Sequence, residues 1–274
     1  MSAPVSSSDP VDEADIIGYF VWMPRYAYKL NADKQEADIV FLQGTTDYYG
    51  EQGYAVRTID NDGEYIVHPA FTVDPVNGGW SKEISGFWTA KFEASHSTTT
   101  TDVLNNTMVT SSTPNIGNKY GGNGAGYVKI IPNVTSWRNM TVSSIAAVCT
   151  NMANSHSLTD SDTHMMKNSE WGAVAYLTAS KYGNKDIYPT SYTDGKEFCT
   201  TLTGMAGTST SDSMTTTFTV EPTINNSEKI VLNGKTYYRY NTNNGGKAST
   251  TGNVYGIYDM SGRSYGIRCS LCCK

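Results

Sequence analysis

The sequence predicts an α+β fold in which two helices pack on a small antiparallel sheet joined by long loops. Three observations carry that expectation. Trp171, Val174, Ala175, Thr178, Ala179 and Tyr182 recur at the three- and four-residue spacing of one helical stripe, and Ile145, Val148, Cys149 and Met152 do the same upstream. Residues 87–93 alternate apolar and polar side chains, as a half-buried strand does. Hydrophobic residues make up 38% of the chain, with 19 Tyr and 5 Trp but few long aliphatic runs, which suits a core filled by rings and excludes a coiled coil.

Residues 1–14 are small, polar and acidic and read as a flexible leader. Residues 15–66 read as a small N-terminal β annex, with two short strands in 16–30 split by Pro24 and further strands at 37–42 and 54–58. The main domain is expected over 67–274. It opens on a strand within 84–95, and residues 96–126 follow as a surface insertion that ends in six residues, 121–126, four of them glycine. No Lys-Ser/Thr pair follows those glycines, so they do not build a phosphate loop.

The first helix is expected at 142–153 with Thr141 as its N-cap, and the second at 168–182. Asn168 or Ser169 would cap the second, and Gly183 would end it in a left-handed conformation. Ile145, Val148, Met152, Trp171, Val174 and Ala175 are the expected buried side chains. Residues 200–250 are rich in Ser, Thr, Asn and Gly, interrupted by strands at 229–232 and 235–240. Asn233-Gly234 between them is a two-residue hairpin signal.

Charge and motif content exclude several functions. A net charge of -6 and a pI near 5.2, with no clustered basic footprint, argue against nucleic acid. No stretch approaches the ~20 apolar residues that span a bilayer, and residues 1–10 are too polar for a secretory signal. Neither a Gly-x-Ser-x-Gly elbow nor a His-Glu-x-x-His helix occurs. His156 and His164 flank a polar stretch with Asp160 and Asp162, read as a solvated loop before a helix rather than a cation site.

Five cysteines, Cys149, Cys199, Cys269, Cys272 and Cys273, cannot all pair within one chain. Cys149 reads as a small buried hydrophobe, and the group at 269–273 lacks the second ligand pair that a zinc site needs.

Four segments in order carry a family resemblance. They are the helix from His164 to Gly183 with Glu170-Trp171 near its start, the strand at 84–95 approached by His68-Pro-Ala-Phe71, the turn at 252–262 with Tyr258-Asp-Met-Ser-Gly262, and Ser264-Tyr-Gly-Ile-Arg268 leading to Leu271. Together they resemble the formylglycine-generating (sulfatase-modifying) proteins, whose fold is C-type lectin-like. The resemblance implies that residues 87–93 run antiparallel to 265–271, closing the domain end to end. It does not extend to the catalytic motifs: Asn-Val-Trp-Glu-Trp and Arg-Gly-Gly-Ser-Trp are absent, as are the calcium triplets of sugar-binding lectins, of which Glu221-Pro-Thr223 is a partial echo. Trp22-Met-Pro-Arg-Tyr-Ala-Tyr-Lys29 resembles a segment of bacterial surface proteins.

The expected function is therefore that of a non-enzymatic ligand-binding or adhesion protein without metal or cofactor. Its place would be a cell surface, the extracellular space or a phage particle, and its partner a protein or glycan on a cell. Variable proteins of diversity-generating retroelements share the scaffold that the resemblance implies. Tyr and Asn give adaptable contact area, which singles out Tyr237, Tyr238, Arg239, Tyr240, Asn243, Asn244, Arg263 and Tyr265 as ligand-binding candidates. The alternatives are a divergent cysteine oxidase using Cys269, Cys272 or Cys273, and a structural subunit of a pilus or phage particle.

Overall fold

In chain order the strands are β1 (Phe20–Pro24), β2 (Tyr26–Asn31), β3 (Glu36–Phe41), β4 (Tyr48–Tyr49), β5 (Arg57–Thr58), β6 (Ile66–Val67), β7 (Gly86–Ala90), β8 (Ser95–His96) and β9 (Val128–Lys129). Helix α1 (Val142–Ser155), β10 (Ser161–Met165), helix α2 (Asn168–Thr178), β11 (Lys229–Leu232), β12 (Lys235–Tyr238) and β13 (Cys269–Cys273) follow. The computed structural model describes residues 11–12, 15–31, 36–50, 57–58, 65–74, 76, 79–96, 128–132, 142–158, 160–184, 229–232, 235–238, 240–241, 246, 249–258, 260 and 269–273. Among the described residues the α+β architecture of two long helices and small antiparallel sheets is present, as the periodicities predict.

The central sheet has the order β1-β7-β13-β10, antiparallel throughout. Leu271 lies opposite Trp88 and Ser270 opposite Thr89, so the expected pairing of the opening with the closing strand is present. The paired strands are β7 and β13, slightly offset from the expected 87–93 and 265–271.

Because side chains alternate along a strand, the register sorts the sheet into two faces. Phe20 and Ala90 share one face with Thr163 and Met165, and there α1 packs. Thr163 Oγ1 ties that contact: it donates to the Thr150 carbonyl at 3.1 Å and accepts from the Ala153 N–H at 3.0 Å. Val21, Met23 and Phe87 point to the opposite face, where they join Ala173 and Val174 of α2 and Ala70 and Phe71 of a 3-10 turn. The helices thus cover opposite sides of one sheet. Each wholly buried Val or Met, such as Val148, Val174 and Met152, contributes about 1.5–3 kcal/mol by leaving water.

The segment expected as an annex is woven into this arrangement. Strand β1 pairs along its whole length with β7, from Phe20 opposite Ala90 to Pro24 opposite Gly86. Strand β2 is the middle of a second sheet, β3-β2-β6, that shields α2, and the Tyr26 hydroxyl donates to the Ala173 carbonyl at 2.6 Å. The break between β1 and β2 falls at Arg25 rather than Pro24. Buried Arg25 donates to the Phe71 carbonyl and pairs with Glu83 and Asp47, which pins the corner between the two sheets.

Helix ends differ from the sequence reading in instructive ways. Helix α1 ends in a left-handed residue, Ser157 (φ 58°), with Leu158 N–H donating to Ala153 O and Ser157 N–H to Asn154 O. That is the Schellman pattern, built here without glycine. Helix α2 starts after Lys167, and Glu170 rather than Asn168 or Ser169 supplies the cap by accepting the Lys167 N–H at 2.9 Å. Gly183 does not end α2 and is not left-handed: the helix stops at Thr178, with Ala179 as C-cap. Gly183 is required by close approach, because a Cβ there would lie 2.1 Å from the Thr178 carbonyl oxygen.

Trp171, expected in the core, is half-buried, its indole N–H donating to the Met260 carbonyl at 3.2 Å. Val148, Met152, Val174 and Ala175 are buried as expected. Thr141 and the Ile145 side chain lie outside the described residues. Cys149 is fully buried, but it is bonded in a disulfide rather than being a free core thiol.

Candidate functional site

Residues 249–258 form a loop whose shape is set by its own hydrogen bonds. The Ser249 hydroxyl sits at its centre, donating to the Asn253 carbonyl at 2.5 Å and accepting from Asn253 N–H at 3.2 Å and Thr251 N–H at 3.3 Å. Gly252 turns the chain with φ 72°, a left-handed position that suits glycine. The Thr250 N–H donates to the Ile257 carbonyl at 2.9 Å, which closes the base.

Three other parts of the chain dock on this loop. Asn184, six residues beyond the end of α2, donates its backbone N–H to Thr250 O at 2.8 Å and its side chain to Ser249 O at 3.3 Å. Lys91, just beyond β7, donates through Nζ to Val254 O at 2.5 Å, and burial lowers its pKa. Tyr240, just beyond β12, lies edge-on to Phe92 at 5.0 Å and to Tyr258 at 5.9 Å, and its carbonyl accepts from the Tyr258 hydroxyl at 2.8 Å. Phe92 and Tyr258 stack at 5.4 Å beneath them. The connections that leave α2 and β12 therefore spring from one place, and Tyr255 stands out from it, 79% exposed.

The expected ligand residues fare unevenly. Tyr240 is half-buried and packs on the aromatic cluster, so its ring supports the loop. Tyr237 and Tyr238 lie in β12, hairpin-paired with β11 through Ile230 and Lys229, and their side chains are outside the described residues. Arg239, Asn243, Asn244, Arg263 and Tyr265 are also outside them. Tyr258 is core, whereas Tyr255 is exposed.

A second cluster was not legible as chemistry. His164 on β10 lies with Nε2 2.9 Å from Glu170 Oε1 and Nδ1 3.2 Å from Asp162 Oδ1. Its ring stands edge-on to Trp80 at 5.3 Å, and Lys167 Nζ sits 3.9 Å above the Trp80 ring while donating to the Gly79 carbonyl at 3.2 Å. Burial alone would depress the His164 pKa, but the hydrogen bond and charge of Glu170, with Asp162, raise it above the ordinary value against Lys167. Asp162 and His164 thus belong to strand and ion cluster, not to a solvated loop. His156 is separate, buried with Nε2 2.9 Å from the Val128 carbonyl. The available signal was the Glu three residues into a helix, where the side chain reaches back to the N-cap N–H as in a capping box.

Among the described residues no group of three or more His, Cys, Asp or Glu is placed to hold a metal ion, and no helix is long and apolar enough to cross a membrane. No family model, curated protein or solved structure matches the chain.

Proposed function

We propose that this protein is a non-enzymatic ligand-binding or adhesion protein on a C-type lectin-like scaffold, of the kind used as variable proteins by diversity-generating retroelements. The observation that carries the reading is the convergence of Asn184, Lys91 and Tyr240 on the 249–258 loop, which gathers described residues from four parts of the chain at one place beside a well-packed core. Loops rooted in a rigid frame are where binding residues collect, since they vary without loss of the core. Tyr255 adds a large amphipathic side chain held out by a loop whose backbone is already ordered, so little entropy is lost on contact.

The ligand is a protein or glycan on a cell surface, taken by Tyr255 together with Tyr237, Tyr238, Arg239, Asn243, Asn244, Arg263 and Tyr265, around a Tyr240 that supports them. The disulfide at Cys149 supports an oxidising location, at a cell surface, in the extracellular space or on a phage particle. The test is capture on arrays of glycans and surface proteins. Tyr255→Ala and Tyr237→Ala should each weaken capture while the thermal midpoint stays within about 2 °C, as surface changes do. Capture that survives both substitutions, or no capture at all, would defeat the reading.

A further inference from the structure

Helix α2 is fastened at its first turn by a fully buried carboxylate. Glu170 is 0% exposed, and each of its oxygens has one partner: Oε1 faces His164 Nε2 at 2.9 Å and Oε2 accepts the Lys167 N–H at 2.9 Å. A buried carboxylate is costly unless hydrogen-bonded and paired with a cation. The opposing imidazole is set between two acids, since Nδ1 lies 3.2 Å from Asp162 Oδ1. An ionised carboxylate can only accept, so a ring that faces one on each side is satisfied when both nitrogens carry hydrogen, as the imidazolium.

We propose that Asp162, His164 and Glu170 form a proton-operated fastening between the sheet-edge strand β10 and the first turn of α2, tight while His164 is an imidazolium and slack when it is neutral. The order of events follows from exposure. Asp162 is half in water, with a side chain 52% exposed, whereas Glu170 is sealed. The proton therefore leaves from Nδ1, Asp162 turns to solvent, and Nε2–H stays on Glu170. What remains is a hydrogen bond from a neutral ring to the Glu170 carboxylate in place of an ion pair, so the contact persists while the charge attraction between ring and acid is lost.

Among the described residues the neighbours of His164 come from four segments. From β10 the charged group is Asp162, and from the start of α2 they are Lys167 and Glu170. The segment at 79–80 contributes the uncharged Trp80 ring and the Gly79 carbonyl that holds Lys167. In β13, Ser270 is opposite His164 in register and Cys272 opposite Asp162. Lys167 is the cation left near Glu170 once His164 is neutral, and its ammonium is already held over Trp80.

The sign is fixed by linkage. His164 titrates higher in the folded chain than its ordinary 6.5, so its contribution is complete below that value and is lost as pH rises through the folded pKa. The experiment is a ring-proton titration of the full chain by NMR, joined to hydrogen exchange of the α2 first-turn amides, corrected for intrinsic base catalysis. His164 should titrate above 6.5, and its midpoint should fall in Asp162→Asn. Protection of the first-turn amides should drop roughly threefold or more across that midpoint in the native chain and stay flat in His164→Gln, as expected for a folded pKa above the unfolded one. A wild-type His164 midpoint at or below 6.5 overturns the proposal, as does first-turn protection that ignores the midpoint. Both decisive readings come from the native chain, so they stand even if a variant fails to fold.

Discussion

His68 and His164 flank the same helix and carry opposite electrostatics. His68 is buried among rings: Tyr26, Tyr28 and Tyr176 have centroids 5.3–5.4 Å away, and its imidazole lies beside Gly172 of α2. Its Nδ1 accepts the Ala70 N–H at 3.2 Å, and with no carboxylate among the causes acting on it, burial lowers its pKa to about 4. His164 is also largely shielded, but two carboxylates reverse the direction. Burial alone does not decide a histidine's charge. What decides it is whether the groups that replace water accept protons' worth of charge or only fill space.

Four measurements would break or sharpen this contrast. The largest effect should come from Glu170→Ala, which leaves a cap unmade and His164 without its buried partner. Breaking one side of a buried pair costs about 3–5 kcal/mol, read as a drop in the thermal midpoint. A midpoint unchanged by that substitution would place Glu170 outside the stabilising contacts.

Next in size is the acid limb of stability. His68 has a folded pKa near 4 against an ordinary 6.5, so the unfolded chain binds the proton first and stability falls as pH drops through that window. The loss should be about 3 kcal/mol in denaturant melts, and it should vanish in His68→Phe, which keeps the ring and cannot charge. Persistence of the full acid limb in that variant would assign it to other groups.

Trp171→Ala should cost about 2 kcal/mol, below the usual range for a fully buried aromatic because the side chain is only partly buried. Smallest is Asp162→Asn, the exposed member of the ion cluster, at about 0.5 kcal/mol near neutral pH. If Asp162→Asn matched Glu170→Ala in cost, the two carboxylates could not play the unequal parts that their exposure assigns them.

Much of the fold was readable because periodicity reports burial. The α1 and α2 spans followed from Val148 and Met152 and from Val174 and Ala175, and β7 from its alternation. Pairing was readable for β7 with β13 through the ordered resemblance. It was not readable for β1, since alternation fixes which face a residue takes and says nothing about which strand lies beside it. Ser157 was invisible as a helix stop because only its φ of 58° marks it, and Gly183 drew attention that belonged to a close approach. Glu170 stood in the sequence only as the acid beside Trp171 near the helix start, and nothing there discloses the two hydrogen bonds, to His164 of β10 and to Lys167, that allow its complete burial. Of the candidate ligand residues, Tyr240 alone has a described side chain, and its packing on Phe92 is a tertiary fact that a Tyr-rich stretch does not disclose.

The position of β13 has a consequence for how the chain is made. It lies between β7 and β10, so the sheet has a gap until residues 91–268 have been synthesised and the last strand can slide in. On the ribosome β7 and β10 must wait with unpaired edges, the condition in which neighbouring chains pair by mistake. Closing so long a loop is slow because its entropy is lost before the final hydrogen bonds form. Nascent chains of this protein should therefore depend on chaperone cover until β13 emerges, while α1 and β10, adjacent in sequence, can dock early.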